Sequence, residues 1–285
     1  MRSFPALRPV VRRIHRSRTV MTCLLVLVLT ALVALVGPFV TPHSYMDTDF
    51  DGRFIAPTAE AMHLFGTDEL GRDLFARTLL GVQVTLFVAV IASIVSLGIG
   101  VIYGATAGFI GGKVDAFMMR IVDGLYALPF VFFVILLMVV FERNFLLIFV
   151  AIGAVNWLDM ARIVRGQTMS LKNREFVAAA RLMGVSTAGI IRRHITPNLM
   201  GVVIVYMTLT IPQAILVESF LSFLGLGVQE PQTSLGALVN NGVAHMQHAP
   251  WLLIVPASVL AVILFCFNFL GDGLRDIADP KYKAR

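Results

Sequence analysis

The stretch VTLFVAVIASIVSLGIGVIYGATA, residues 84–107, holds no charged side chain from end to end. At about 1.5 Å of rise per residue, a run of this length spans the ~30 Å hydrocarbon core of a bilayer. Four further stretches read the same way. Residues 20–40, 199–217 and 251–270 are uncharged, and 121–141 carries only Asp123. Residues 145–164 are less apolar, because Asn156, Asp159 and Arg162 sit in the second half. The whole chain of 285 residues is 58% hydrophobic and 14% charged. A soluble domain is about half apolar and about a quarter charged, so the departure is toward a lipid-facing surface. The expected fold is therefore an all-α membrane protein with about six transmembrane helices, five being the main competing count.

The formal net charge of +6 could suggest nucleic acid, but its distribution argues for a membrane. Most of the 23 Lys and Arg residues fall in 1–19, 113–120, 162–193 and 275–285, which are alternate loops of a six-span chain. Cytoplasmic loops carry the Lys/Arg excess, which puts both termini in the cytoplasm. The 145–164 span is needed for this pattern: without it the basic 160–198 loop and the C-terminal tail fall on opposite sides. Cys23 and Cys266 both lie inside spans, so neither a disulfide framework nor a metal site is expected. The first span is too long for a signal-peptide core and no small-residue cleavage site follows it, so it reads as a retained helix.

The expected organisation has a cytoplasmic lead at 1–19. The first span and a long outer loop cover 20–81. A core of five spans covers 82–273 and includes a cytoplasmic loop at 165–198, and a cytoplasmic tail covers 274–285. The outer loop is acidic, with Asp47, Asp49, Asp51, Glu60, Asp68, Glu69 and Asp73. In it Thr67 or Asp68 can cap a helix start, and Leu70, Leu74 and Leu79 form an apolar stripe expected near the membrane surface. Gly111-Gly112 signals a turn.

The loop RGQTMSLKNREFVAAARLMGVSTAGIIRRHITPN, residues 165–198, predicts a short helix, a tight turn and a second helix. Ala178 to Ala180 with Leu182 and Met183 favour helix. Gly184 falls where a left-handed C′ residue ends one. Ser186 or Thr187 can cap the next. Pro197 marks the turn into the following span. Phe176, Ala179, Ala180 and Met183 would form an apolar docking face. From physics alone, an ordinary solvated basic loop is an equal alternative.

The spacing of that loop resembles the EAA loop of ABC-transporter permease subunits, which reads Glu-Ala-Ala, three residues, Gly, nine residues, Ile-x-Leu-Pro. Ala179, Ala180, Gly184 and Pro197 fall on it, while Ala178, His194 and Thr196 stand for its Glu, Ile and Leu. Glu175, one turn earlier, is the candidate replacement for the motif carboxylate. FGTDELGRD (65–73), GKVD (112–115) with Met119-Arg120, SFLSFLGLG (219–227) and GDGLRD (271–276) with Asp279-Pro280 resemble the dipeptide/oligopeptide branch of that family. FVFFVILL (130–137), LIFVAIG (147–153) and WLDMARIVRGQT (157–168) are similar to its C-type subunits. The likeness runs from about residue 60 to the end.

The resemblance implies a type I ABC importer permease fold in the bacterial cytoplasmic membrane. It implies pairing with a second permease subunit, two ATPase subunits and an extracytoplasmic peptide-binding protein. The 165–198 loop would be the coupling helix, through Glu175, Phe176, Ala179, Ala180, Met183, Gly184 and Pro197. Gln213, beside the Pro212 break, and Glu218 are candidates for the translocation path. Gly225 and Gly227 are flexible points of an outer gate in 221–250. A structural role for Glu218, Asp123, Asp159 and Asp272 competes with that reading. Gly100, Gly104, Gly108 and Gly112, four apart, read as a stripe for close helix packing within the bundle.

No residue set reads as catalytic or metal-binding. GFIGGKV (108–114) lacks the first Gly and the Ser/Thr of a phosphate loop, so any ATP and Mg would be used by partner subunits rather than bound here. The expected function is membrane translocation of short peptides, not catalysis. An ion-coupled secondary transporter, or the same fold importing nickel or glutathione, are the alternatives.

Overall fold

The structure, a computed structural model, describes residues 17–59, 63–129, 132, 135, 136, 140 and 145–278. Among these the regular elements are helical, and an isolated bridge between Thr67 and Asp73 is the extended pairing. The helices are α1 (Arg18–Val40), α2 (Leu74–Ile110), α3 (Gly112–Tyr126), α4 (Phe145–Leu171), α5 (Glu175–Leu182), α6 (Thr187–Ile190), α7 (Thr196–Phe223), α8 (Leu235–His245) and α9 (Trp251–Ala278).

Four helical stretches among the described residues are long and apolar enough to cross a membrane: Arg18–Val40, Leu74–Ile110, Thr187–Phe223 and Trp251–Asp276. Helix α4 adds 27 helical residues, about 40 Å, over the predicted stretch 145–164. Much of the predicted span 121–141, and the connection 142–144, lie outside the described residues. The all-α bundle of about six spans stands, with the apolar stretches forming longer helices than expected.

Helix α1 shows why these are lipid-facing elements. Val20, Cys23, Leu27 and Ala34 face inward, while Leu25, Leu29, Leu35 and Phe39 are exposed on the other side. In water that apolar outer face would be unstable; in hydrocarbon it is the required surface.

The chain forms two compact units. The elbow unit contains Ile91–Ile211 and residues 271–278; the loop unit contains Ser17–Val90 and Pro212–Leu270. Within the elbow unit, the glycine stripe lets α2 lie directly on α4. A Cβ on Gly100 would stand 2.6 Å from the Met160 side chain. One on Gly104 would meet the Ala161 carbonyl and stand 3.0 Å from the Arg165 nitrogen. One on Gly108 would stand 2.6 Å from the Arg165 carbonyl. Gly112 does not join them: it has open space, and with Gly111 it takes a positive φ (58° and 74°) in the turn from α2 to α3.

Within the loop unit, α2 starts later than the capping signals suggested. Asp68 Oδ1 accepts from the backbone N–H groups of Leu70 and Arg72, at 2.8 and 2.9 Å, and closes a turn of its own. Asp73 is the cap instead, accepting from Ala76 N–H at 2.7 Å. Of the expected apolar stripe, Leu70 is half-buried. Leu74 and Leu79 are buried, and Leu74 packs with Leu238, Ala249, Leu252, Phe65 and Trp251.

Candidate functional site

The 165–198 segment is the helix–turn–helix expected from its sequence. Helix α5 closes in a Schellman arrangement: Val185 N–H donates to the Ala180 carbonyl at 3.1 Å, and Gly184 sits at φ 74°. Ser186 caps α6, accepting from Gly189 N–H at 3.2 Å. Pro197 corrects the expected turn. The helix continues through it, preceded by a π-helical turn at Ile191–Ile195 in which Thr196 N–H reaches back to the Ile191 carbonyl. Widening the spiral by one residue accommodates a proline ring that lacks an N–H. The Asn198 amide donates to the His194 carbonyl at 2.6 Å and satisfies that acceptor.

The elbow has one face fixed and one face free. Val177, Ala180, Ile190 and Ile195 are buried in a cluster with Val101, Phe109, Val164 and Leu199. Ala180 therefore does not belong to the docking face assigned to it: its methyl is wholly inside the chain's own core. Phe176, Ala179 and Met183 are exposed as expected. Leu182, which the sequence reading left out of that face, is 90% exposed beside Met183 at 73%. On a helix, 177 and 180 share one side while 179, 182 and 183 share the other; the helical spacing was the signal available. Glu175 is exposed in the first turn of α5, where a carboxylate opposes the helix dipole favourably.

Three contacts tie the elbow's support together. Arg165 donates to Asp115 through Nε and Nη2 at 2.5 and 2.7 Å, a bidentate pair. Arg165 hydrogen bonding holds the Asp115 carboxyl below its usual range, against the opposing effect of burial. Lys172 Nζ donates to the Gly108 carbonyl at 3.2 Å, and the Arg181 guanidinium lies 5.1 Å from the Phe109 ring centre. Sequence reasoning missed the Asp115–Arg165 pair, although both residues lie in segments it quoted.

Also in the elbow unit, Arg162 Nη2 donates to Asp123 Oδ1 at 2.7 Å and stacks 4.2 Å over the Tyr126 ring. The Tyr126 hydroxyl donates to Asp159.

The loop unit explains the FGTDELGRD stretch. Gly66 (φ 80°) and Gly71 (φ 74°) run against the backbones of Ile55 and Asp49, where a side chain would collide. Thr67 Oγ1 donates to the Gly52 carbonyl at 2.6 Å and accepts from Ile55 N–H at 2.8 Å. Asp68 Oδ2 accepts from Arg72 Nε at 2.8 Å and from Arg77. Both arginines also reach Glu230 Oε1, at 2.9 and 3.2 Å. Burial pushes the Asp68 carboxyl up, but Arg77, Arg72 and two backbone N–H groups outweigh it and hold it below its usual value. Glu230 is likewise held low, chiefly by Arg72.

Glu218, a path candidate, is completely buried. Its carboxylate accepts from Ser222 Oγ at 2.6 Å and Thr85 Oγ1 at 3.4 Å. Ser234, 3.1 Å from Ser222, caps α8, and Thr85 accepts from Leu235 N–H at 3.1 Å. The carboxylate thus sits in a hydroxyl cage joining α2, α7 and the start of α8. Gln213 is exposed on α7. Gly225 is exposed at φ 75°, while Gly227 is buried, with Ser222 Cα 2.5 Å from where its Cβ would lie. Gly227 is a packing glycine rather than a free hinge.

Two family models match the chain. Residues 97–284 match "binding-protein-dependent transport system inner membrane component", and residues 7–57 match "N-terminal TM domain of oligopeptide transport permease C". The chain is 52% identical over 270 residues to the oligopeptide transport system permease protein OppC of Haemophilus influenzae, covering 95% of this chain and 87% of that protein. It is 54% identical over 270 residues to its counterpart in Escherichia coli K12, covering 95% and 89%. It is 45% identical over 273 residues to the dipeptide transport system permease protein DppC of Bacillus subtilis, covering 95% and 85%. The chain belongs to the binding-protein-dependent transport family, as a multi-pass inner-membrane permease subunit of the oligopeptide permease C branch of ABC transporters.

Proposed function

We propose that this chain is one of two permease subunits of an ATP-driven importer that carries short peptides into the cytoplasm. The observation that carries the reading is the identity of more than half of all positions to oligopeptide permeases, over 95% of the chain. The partners are a second permease subunit, two ATPase subunits and an extracytoplasmic peptide-binding protein. ATP and Mg act in the ATPase subunits. Nickel or glutathione import by the same fold is the alternative cargo reading.

The elbow is the coupling segment and faces the cytoplasm, as do both termini; the basic 162–193 loop supports this orientation. Its free face, Phe176, Ala179, Leu182 and Met183, enters a groove of the ATPase subunit, and Glu175 takes the place of the motif carboxylate. Gly184 sets the turn, while Ala180 and Pro197 serve from within, fixing the elbow to the bundle. The fixed face matters mechanically. A push on α5 reaches α2 and α4 through a packed core and the Asp115–Arg165 pair, because close-packed side chains transmit displacement instead of absorbing it. Gln213 lines the path, Gly225 gives the outer gate its turn, and Glu218 and Gly227 hold the gate segment in place. The first helix and loop, 20–81, are an added module on the 82–273 core, in line with the two separate family matches.

Uptake of labelled peptide by vesicles holding the reconstituted assembly tests the reading. ATP-dependent uptake supports it. Uptake driven by a proton gradient without ATP, or uptake of nickel but not peptide, overturns it.

A further inference from the structure

Asp123, Tyr126, Asp159 and Arg162 form one contiguous cluster, from α3 and α4, toward the cytoplasmic ends of two stretches read as membrane-crossing. The cluster is not buried: the side chains of Asp123 and Arg162 are 63% and 42% exposed, and Asp159 and Tyr126 are exposed as well. Exposed charge on a spanning helix is incompatible with hydrocarbon contact and belongs against water or another polar surface. Arg162 does not snorkel away from its helix. It turns onto the Tyr126 ring and pairs with Asp123. The group is closed on itself with two acids for one base.

We propose that this cluster is a station on the translocation path that binds the charged ends of the moving peptide. The proposal rests on the peptide-import reading above and names the site within it. A peptide's one invariant carboxylate fits the guanidinium that Asp123 now holds through a single N–H, since the guanidinium fork has further donors for a second oxygen. Its ammonium fits the acids: Asp159, and the Asp123 released from Arg162. One ion pair is exchanged for another, so binding is shallow, as a transient site requires. Recognition by termini alone is blind to side chains. The Tyr126 ring holds the guanidinium in place while its first partner leaves. A zwitterionic peptide carries both of the charges that this cluster complements, and contact with the second permease subunit is an outcome of the test.

The test uses the complete reconstituted importer, supplied with saturating peptide-loaded binding protein. Uptake is compared for one peptide in free, C-amidated and N-acetylated forms. Arg162→Gln is expected to lower uptake of the free peptide about threefold and to leave that of the amidated form nearly unchanged, the size of one exposed charge contact. Asp159→Asn is expected to show the matching selectivity for the acetylated form. Equal losses for free and blocked peptides in both variants would make the role structural and overturn the proposal. As a readout independent of folding in those variants, a photoreactive phenylalanine analogue at Tyr126 should crosslink to peptide in a stalled complex. Crosslinks to the second permease subunit or to lipid alone would also overturn it. Peptide uptake by the parental assembly in the same assay shows that the import reading itself still stands.

Discussion

The loop unit and the elbow unit hold their segments in place by opposite means. In the loop unit, Asp68, Arg72, Arg77 and Glu230 form a network, and a buried carboxylate, Glu218, gathers hydroxyls from three elements. Its turns at Gly66 and Gly71, both at positive φ, are fixed by directional bonds. In the elbow unit, helices touch through glycines and a small apolar cluster. Its main ionic fastening is the Asp115–Arg165 pair. Directional bonds suit an irregular segment that must keep one shape. Smooth packing suits helices that move as rods, and it leaves one face of α5 unused for a partner. Under the proposed mechanism, a segment that holds still and a segment that is pushed leave different signatures.

The comparison is sharpest when each unit loses its own fastening. Arg77→Ala leaves Asp68 buried without the arginine that compensates its charge most. Breaking such a pair costs about 3–5 kcal/mol, so a fall in thermal stability of the purified subunit is expected, together with faster backbone exchange in 47–73. Gly104→Val should cost about 1–3 kcal/mol, because the new atoms meet backbone that cannot yield. Exchange should then rise around α4 and α5 and remain unchanged in 47–73. If either substitution loosened both regions alike, the contrast would fail.

Acid offers a gentler separation. Asp68 and Glu230 have folded values below their ordinary 3.8 and 4.5. The sign follows from that direction: their stabilisation is complete above the ordinary values and is lost as pH falls through the lower folded ones. Trp251 donates to the Thr67 carbonyl at 3.3 Å and reports on the loop. In a Trp157→Phe background its emission should hold steady down to about pH 4 and shift red below that. A shift near neutrality would mean that the network does not fasten the loop.

Much of this was legible in the sequence, for reasons that differ by residue. The spans are long apolar runs, and length needs no partner to be read. Gly184 and Ser186 were found because a left-handed C′ and a cap are local requirements, and the 100–108 stripe because helical spacing is fixed. Ala180 was misplaced because composition says apolar without saying which side. Pro197 was read as a break because the π turn that absorbs it is a backbone arrangement over Ile191–Ile195 that the proline itself does not signal. The Asp68 network eluded the reading entirely, since its fourth member, Glu230, is far away along the chain. Glu218 was a path candidate as an acid beside the end of a span, and only the positions of Thr85, Ser222 and Ser234 show what it touches.

The central claim is that the exposed side of α5 is the surface through which ATPase subunits move this bundle. Leu182→Asp with Met183→Asp places two charges on that side, away from the chain's own core, so the stability of the isolated subunit should change by less than about 0.5 kcal/mol. The measurement is pull-down of ATPase subunits by the tagged double variant, alongside the parental chain. Retention of the fold with loss of the ATPase subunits is the predicted result. Full recovery of both ATPase subunits with the charged face would contradict the account.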